Sequence, residues 1–223
     1  MENMENTNIE NTGAVNTEAE KKKQNKLFNL VFAAIVIVVV VVVIINRLNI
    51  VKPQVTIDDE TLSVGMTVEK LVDAGFTVGL SMTGSGDLDL DSQPKVPGEK
   101  YSSTPYYIFK DGEYTNVTFS VYNRSVNACD FEDSRIYAFS YSARFNFSGT
   151  EVLINDIEIG GMDVDDAIEE LEDLGVKFDD DKKEEFLDGD YGFIIGNSGD
   201  YSFEINADDA GEVIESIRVK LKV

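Results

Sequence analysis

The sequence contains no histidine and no tryptophan, a single cysteine, four prolines, and 19 basic side chains against 42 acidic ones. Without histidine, the commonest general base is missing, and with it the Ser-His and Cys-His nucleophile pairs and the usual zinc and copper sites. The lone Cys129 cannot close an internal disulfide, so the fold rests on packing. Its thiol is either a small buried residue or a reactive one. An outside-facing domain without disulfides fits a bacterial surface better than a eukaryotic secretory pathway. The formal net charge is -23. The first 26 residues hold five Glu and four Lys, which leaves 42 − 5 = 37 acids and 19 − 4 = 15 bases, about -22, on the rest of the chain. A field of that sign repels nucleic acid and anionic headgroups. It favours cationic partners or divalent ions, or simply gives a solvated surface.

Sequence signatures of catalysis are also missing. There is no glycine-rich phosphate loop, no GxSxG and no CxxC. Asp87, Asp89 and Asp91 begin like a calcium loop, but Ser92 stands where the sharp-turn glycine belongs and Gly98 where the bidentate Glu belongs. The acids Asp179, Asp180, Asp181, Asp188 and Asp190 form a second, nonspecific cluster. With so many carboxylates, a pair at glycosidase spacing arises by accident and carries no weight. Asn116-Val-Thr118, Asn123-Arg-Ser125 and Asn146-Phe-Ser148 fit the N-glycosylation pattern. No catalytic, cofactor-binding or metal-binding residue is therefore assigned, no cofactor is expected, and the chain reads as a non-enzyme.

What is present begins with the N-terminal segments. Residues 1–26, rich in Asn, Glu, Thr and Lys, read as a disordered cytoplasmic tail. Residues 27–45, LFNLVFAAIVIVVVVVVII, are apolar except for Asn29. A helix of that length matches a hydrocarbon core of roughly 30 Å, and helix outcompetes strand in lipid because it satisfies its own backbone. The expectation is a transmembrane helix over 27–48, with the bilayer as a partner through 27–45. Lys21, Lys22, Lys23 and Lys26 precede it, and Arg47 and Lys52 follow. The positive-inside rule then makes the chain a single-pass protein of the cell membrane, N-terminus cytoplasmic and C-terminal domain outside. NRLNIVKP offers no small-x-small cleavage site, so an uncleaved signal anchor is expected.

The remainder repeats itself. VTIDDETLSVGMTVEKLVDAGFTV from Val55 matches VLINDIEIGGMDVDDAIEELEDLGVKF from Val152. Gly65-Met66 aligns with Gly161-Met162, Val68 with Val164, Gly75 with Gly175, VTFSV at Val117 with YSFEI at Tyr201, and Asp133-Ser134 with Glu215-Ser216. Each copy opens with a tight hairpin, turning at Asp58-Asp59 or Asn155-Asp156. Thr67 and Asp163 then cap a short helix that Gly75 or Gly175 ends. Val164, Ile168, Leu171 and Leu174 form the expected buried stripe of the second helix. Strands follow at Tyr106–Lys110, Val117–Tyr122 and Arg135–Ala143, and at Tyr191–Ile195, Tyr201–Ile205 and Val213–Val223.

The expected architecture is an α+β ectodomain of two tandem small units, residues 50–147 and 148–223. Each would be an antiparallel sheet with one short helix, preceded by the transmembrane helix. Tyr137, Phe139, Tyr141, Ala143, Phe145 and Phe147 fall on one side of a period-two pattern. They are either an aromatic surface that docks a strand or glycan, or a long strand supplying core to both copies.

The segments GMTVEKLVDAGFTV and GMDVDDAIEELEDLGVKF resemble the helix start of PASTA domains. The Pro-Gly-rich strand segments of that family do not follow, so peptidoglycan binding is not implied. The hairpin followed by V-x-x-L-x-x-x-G is also similar to uncharacterised repeats of membrane-anchored or lipoprotein ectodomains in Gram-positive bacteria. That resemblance implies location and architecture without an activity. The functional expectation is an extracytoplasmic, non-catalytic module that binds a surface protein or cell-envelope component. Alternatives are an accessory or regulatory subunit of a membrane assembly and a carboxylate-based hydrolase.

Overall fold

The computed structural model describes residues 26, 28–42, 44, 50–102, 104–145, 149–189, 192–208 and 210–222. The chain divides into two compact units, Met1–Asn49 and Ile50–Val223. In the first, residues 28–42 form a helix, α1, whose apolar side chains stand exposed. Among the described residues no helix is long and apolar enough to cross a membrane. At 1.5 Å per residue the helical run over 28–42 rises about 22 Å, short of a roughly 30 Å hydrocarbon core. This overturns the transmembrane helix over 27–48, the single-pass signal anchor and the cell-membrane localisation. The tail expected over 1–26 lies outside the described residues except for Lys26.

The second unit opens with the hairpin β1 (Gln54–Ile57) and β2 (Glu60–Ser63), turned at Asp58 with φ 51°. Helix α2 (Val68–Asp73) follows, its N-cap Thr67 accepting from the Lys70 amide. Then come β3 (Thr77–Gly79), the short β4 (Lys100–Tyr101), β5 (Tyr106–Lys110), β6 (Glu113–Asn123) and β7 (Arg135–Ser142). The second copy supplies β8 (Val152–Ile154), α3 (Val164–Leu174), α4 (Asp180–Leu187), β9 (Phe193–Ser198), β10 (Tyr201–Ala207) and β11 (Ile214–Leu221). Asp163 caps α3 by accepting from the Asp165 amide. Gly75 and Gly175 sit at φ 90° and 103°, where a left-handed residue reverses the chain after each helix.

The sheets do not respect the expected separation into two units. Strands β2-β1-β8 form one three-stranded sheet. The others form one eight-stranded sheet in the order β3-β5-β6-β7-β11-β10-β9, with β4 beside β6. The architecture is a mostly sheet α+β fold in which both copies build the same two sheets, correcting the expectation of two tandem sheets each with one helix. The reason is edge pairing. An isolated copy would leave the apolar strands β7 or β11 with unpaired backbone, and each strand is the other's nearest complement.

The pairing is symmetric about a local two-fold axis. Phe119 pairs with Phe139, and Phe203 with Val219, so Phe139 and Val219 are equivalent positions. Those two residues also pair with each other across the β7–β11 seam. In the small sheet the equivalent positions Thr56 and Leu153 likewise pair with each other. Backbone bonds repeat in both copies. Gly65 and Gly161 donate to Ile136 and Ile214, and Val68 and Val164 donate to Ser134 and Glu212. These bonds correct one part of the sequence alignment, because Ser134 matches Glu212 and not Ser216.

The core lies between the large sheet and the layer made by α2, α3 and the small sheet. Its centre contains Phe119, Phe139, Phe203, Ile217, Leu71 and Leu171, all buried. The α3 stripe buries Val164, Ala167, Ile168 and Leu171, while Leu174 is 43% exposed. The β7 aromatics also divide. A register shift between Ser120 and Val121 leaves Tyr137 as an extra, unpaired residue and turns it outward, whereas Phe139 and Tyr141 stay buried. Strand β7 ends at Ser142 and a 3-10 turn takes up Ala143–Phe145. The Phe145 side chain and Phe147 lie outside the described residues. The reading of β7 as a core strand shared by both copies therefore holds for Phe139 and Tyr141.

Candidate functional site

Duplication keeps the scaffold constant, so the places where the copies differ are where a surface can specialise. They differ most in the segment between the helix-ending glycine and the first strand of the following hairpin. In the first copy that segment carries β4, which pairs with Tyr122 and Asn123 of β6. In the second copy it carries α4, starting at the N-cap Asp179, whose carboxylate accepts from the Lys182 amide. Asp180 and Asp181 in its first turn suit the positive end of the helix dipole. Phe186 anchors α4 in the core, and Lys183 reaches Glu172 of α3 at 2.6 Å. Together these fix α4 beside the end of the sheet.

Helix α4 and strand β9 enclose a groove of about 540 Å³, lined by Asp179, Lys182, Glu185, Phe193, Ile194, Ile195 and Asn197. Strand β9 is the last strand of the large sheet. Its pairing with β10 alternates. The Asn197 amide and carbonyl point away from β10 and bond Lys177 in both directions at 2.8 Å. By the two-residue period, the amides and carbonyls of Ile195 and Phe193 point the same way. Among the described residues no strand pairs with them. Their side chains, 37% and 50% exposed, add apolar surface beside that open backbone.

The first copy is protected at the matching place. Tyr106 pairs with Phe119 as Gly196 pairs with Phe203, so Pro105 occupies the position of Ile195. Proline has no N–H to offer an incoming strand. Strand β3 covers Tyr107 to Phe109 besides. One copy thus blunts its edge by the ordinary devices, and the other leaves Phe193 and Ile195 bare and apolar.

A second, shallower hollow of about 380 Å³ lies where the copies meet, lined by Tyr101, Tyr137, Lys220, Leu221 and Lys222. Tyr101 stacks on Tyr122 at 4.4 Å between ring centres and meets Tyr137 edge-on at 4.8 Å. Burial, then the neighbouring Tyr122 and Tyr137, push the Tyr101 hydroxyl above its ordinary pKa. Lys222 donates to the Gly199 carbonyl at 3.0 Å, and Lys220 lies 3.5 Å from Glu204.

The residues singled out in the sequence lie elsewhere or act structurally. Asp87 and Asp89 accept from Ser85 and Ser92 at 2.5 Å, and Asp91 is exposed beside them. Among the described residues no group of three or more His, Cys, Asp or Glu side chains is placed to hold a metal ion. Partial burial, then Asp133, push the Cys129 thiol up and disfavour the nucleophilic thiolate. The sequon residues Asn116 and Asn123 are buried, the latter donating to the Val96 and Asn127 carbonyls at 2.8 Å, while Asn146 lies outside the described residues. Asp188 is the C-cap of α4, and Asp190 lies outside the described residues. Helix α4 itself was missed. Its signal was an Asp cap followed by acids in the first turn and a single apolar anchor at Phe186-Leu187.

No family model, no curated protein and no solved structure matches the chain.

Proposed function

We propose that the chain is a non-catalytic binding module that takes up an extended segment of a partner protein as an added strand on β9. The observation that carries this reading is the bare edge at Phe193 and Ile195, opposite the α4 wall, where the first copy has Pro105. An added strand gains affinity from main-chain hydrogen bonds and specificity from alternate side chains. Here Phe193 and Ile195 supply the apolar contacts, and the bonded pair Lys177–Asn197 fixes where the new strand must stop.

The test uses the full chain and a neutral eight-residue Thr/Val peptide blocked at both ends. Amide hydrogen exchange is followed by mass spectrometry with fragment coverage of residues 190–198. Protection should appear at Phe193 and Ile195 when the peptide binds. Ile195→Pro removes an outward amide that pairs with no strand among the described residues, and should abolish binding while leaving the urea unfolding midpoint within a small shift. Undiminished peptide binding to that variant, or exchange at 193–195 unchanged by saturating peptide, would exclude this reading.

A further inference from the structure

The surroundings of the open edge carry an excess of negative charge. Along residues 179–188, Asp179, Asp180, Asp181, Glu184, Glu185 and Asp188 stand against Lys182 and Lys183. Lys183 is engaged by Glu172 at 2.6 Å, leaving Lys182 as the free cation of that segment among the ion pairs of the described residues. Across from Ile195 on β10 stands Glu204, already 3.5 Å from Lys220 and so adding little to that excess. The net charge of -23 adds a long-range field of the same sign.

Resting on the strand-capture reading, we infer that the partner segment is cationic, an extended run in which apolar residues alternate with Lys or Arg. In an added strand, successive side chains point to opposite faces. One set lies beside Phe193 and Ile195 and must be apolar to cover them. The other set lies on the side of Ile194, which shares the core with Phe186 of α4, and so faces the segment that presents two acids, Asp179 and Glu185, and one base, Lys182, to the groove. A second copy of this chain is a poor occupant, because each brings the same negative field to an edge flanked by acids.

The experiment compares three end-blocked eight-residue peptides on the full chain by fluorescence anisotropy: alternating Val/Lys, Val/Thr and Val/Glu. A fourth is the Val/Lys peptide N-methylated on every backbone amide, which keeps the charge and cannot pair as a strand. At low salt the Val/Lys peptide should bind at least about tenfold more tightly than Val/Thr, and the advantage should vanish in 0.5 M NaCl. The methylated peptide should not bind. Glu185→Lys should weaken Val/Lys several-fold and leave Val/Thr unchanged. Equal binding of Val/Lys and Val/Thr, with no effect of Glu185→Lys, overturns the charge assignment while strand capture stands. Equal binding of methylated and unmethylated Val/Lys overturns both, because attraction would then need no strand. Self-association of the wild-type chain that Ile195→Pro abolishes would assign the edge to a second copy and overturn the inference.

Discussion

Tyr114 illustrates how a single residue couples the large sheet to solution conditions. It lies on β6 with its ring 5.4 Å from that of Tyr107 and 5.7 Å from that of Phe109, a small aromatic group at the hairpin end of the sheet. Burial, then Tyr107, push its hydroxyl up to about 12. The folded value is thus above the unfolded one, near 10. The unfolded chain releases this proton first as pH rises, so the stabilisation is complete below pH 10 and is lost between pH 10 and 12. A two-unit shift corresponds to about 2.7 kcal/mol, and solvent screening of the half-buried ring reduces that to about 1–2 kcal/mol. Tyr114→Phe should therefore unfold in urea like the wild type at pH 9, then lose less stability by pH 11.5. Parallel losses in the two proteins would show that Tyr114 is not the group responsible.

At the scale of elements, the helix ends are the parts most readable from sequence, because their chemistry is local. Thr67 and Asp163 as caps, and Gly75 and Gly175 as stops, follow from groups within one turn of chain. A Cβ added at Gly75 meets nothing within 4 Å, so substitution there is opposed by backbone strain alone, and Gly175 holds the same left-handed region at φ 103°. Gly75→Ala and Gly175→Ala should each cost about 1 kcal/mol, read as matching shifts in urea midpoint, and Asn at either position should cost less. A neutral Gly175→Ala would mean the helix end reshapes readily and that the two stops are not equivalent. Other elements were hidden because their causes are not local. Periodicity placed Tyr137 with Phe139 and Tyr141, but the bulge opposite Ser120 and Val121 reverses its face, and a bulge is set by the partner strand. The α4 segment has a mostly polar pattern with one buried anchor, Phe186, too little for a period of 3.6 to register. The open edge at Ile195 was invisible for the same reason. It is defined by what does not pair with it, and by Pro105 at the equivalent place ninety residues earlier in the chain (195 − 105 = 90).

The whole molecule follows from a duplication whose copies complete each other. Sequence reading recovered the repeat and the α+β class, yet it separated the copies, since nothing in either half announces that its final strand pairs with its own equivalent. In the fold, Phe139 and Val219 meet at the axis of the large sheet, and Thr56 and Leu153 meet at that of the small one. Dividing the chain at this seam removes the β7–β11 ladder, Ser142–Ala138 against Ser216–Lys220, and the β1–β8 ladder with it. Phe139, Tyr141, Ile217 and Val219, buried in the intact chain, would then border an exposed edge. Hydrophobic burial at roughly 25 cal/mol per Å² makes that exposure costly for a domain of fewer than a hundred residues, which has little stability to lose. Residues 50–147 and 148–223 expressed as separate chains should therefore not give dispersed folded monomers. The symmetry offers each half one escape, pairing with a copy of itself about the same axis, so homodimers or aggregates are the expected products. When the halves are mixed during refolding, the native partner should win, because Phe139 against Val219 restores the packing that selection has tuned while a self-pair does not. Light scattering after size exclusion should then report a one-to-one complex with the circular dichroism of the intact chain. A half that runs alone as a folded monomer would show that the seam is dispensable, and that the shared sheet joins two domains that are each already complete.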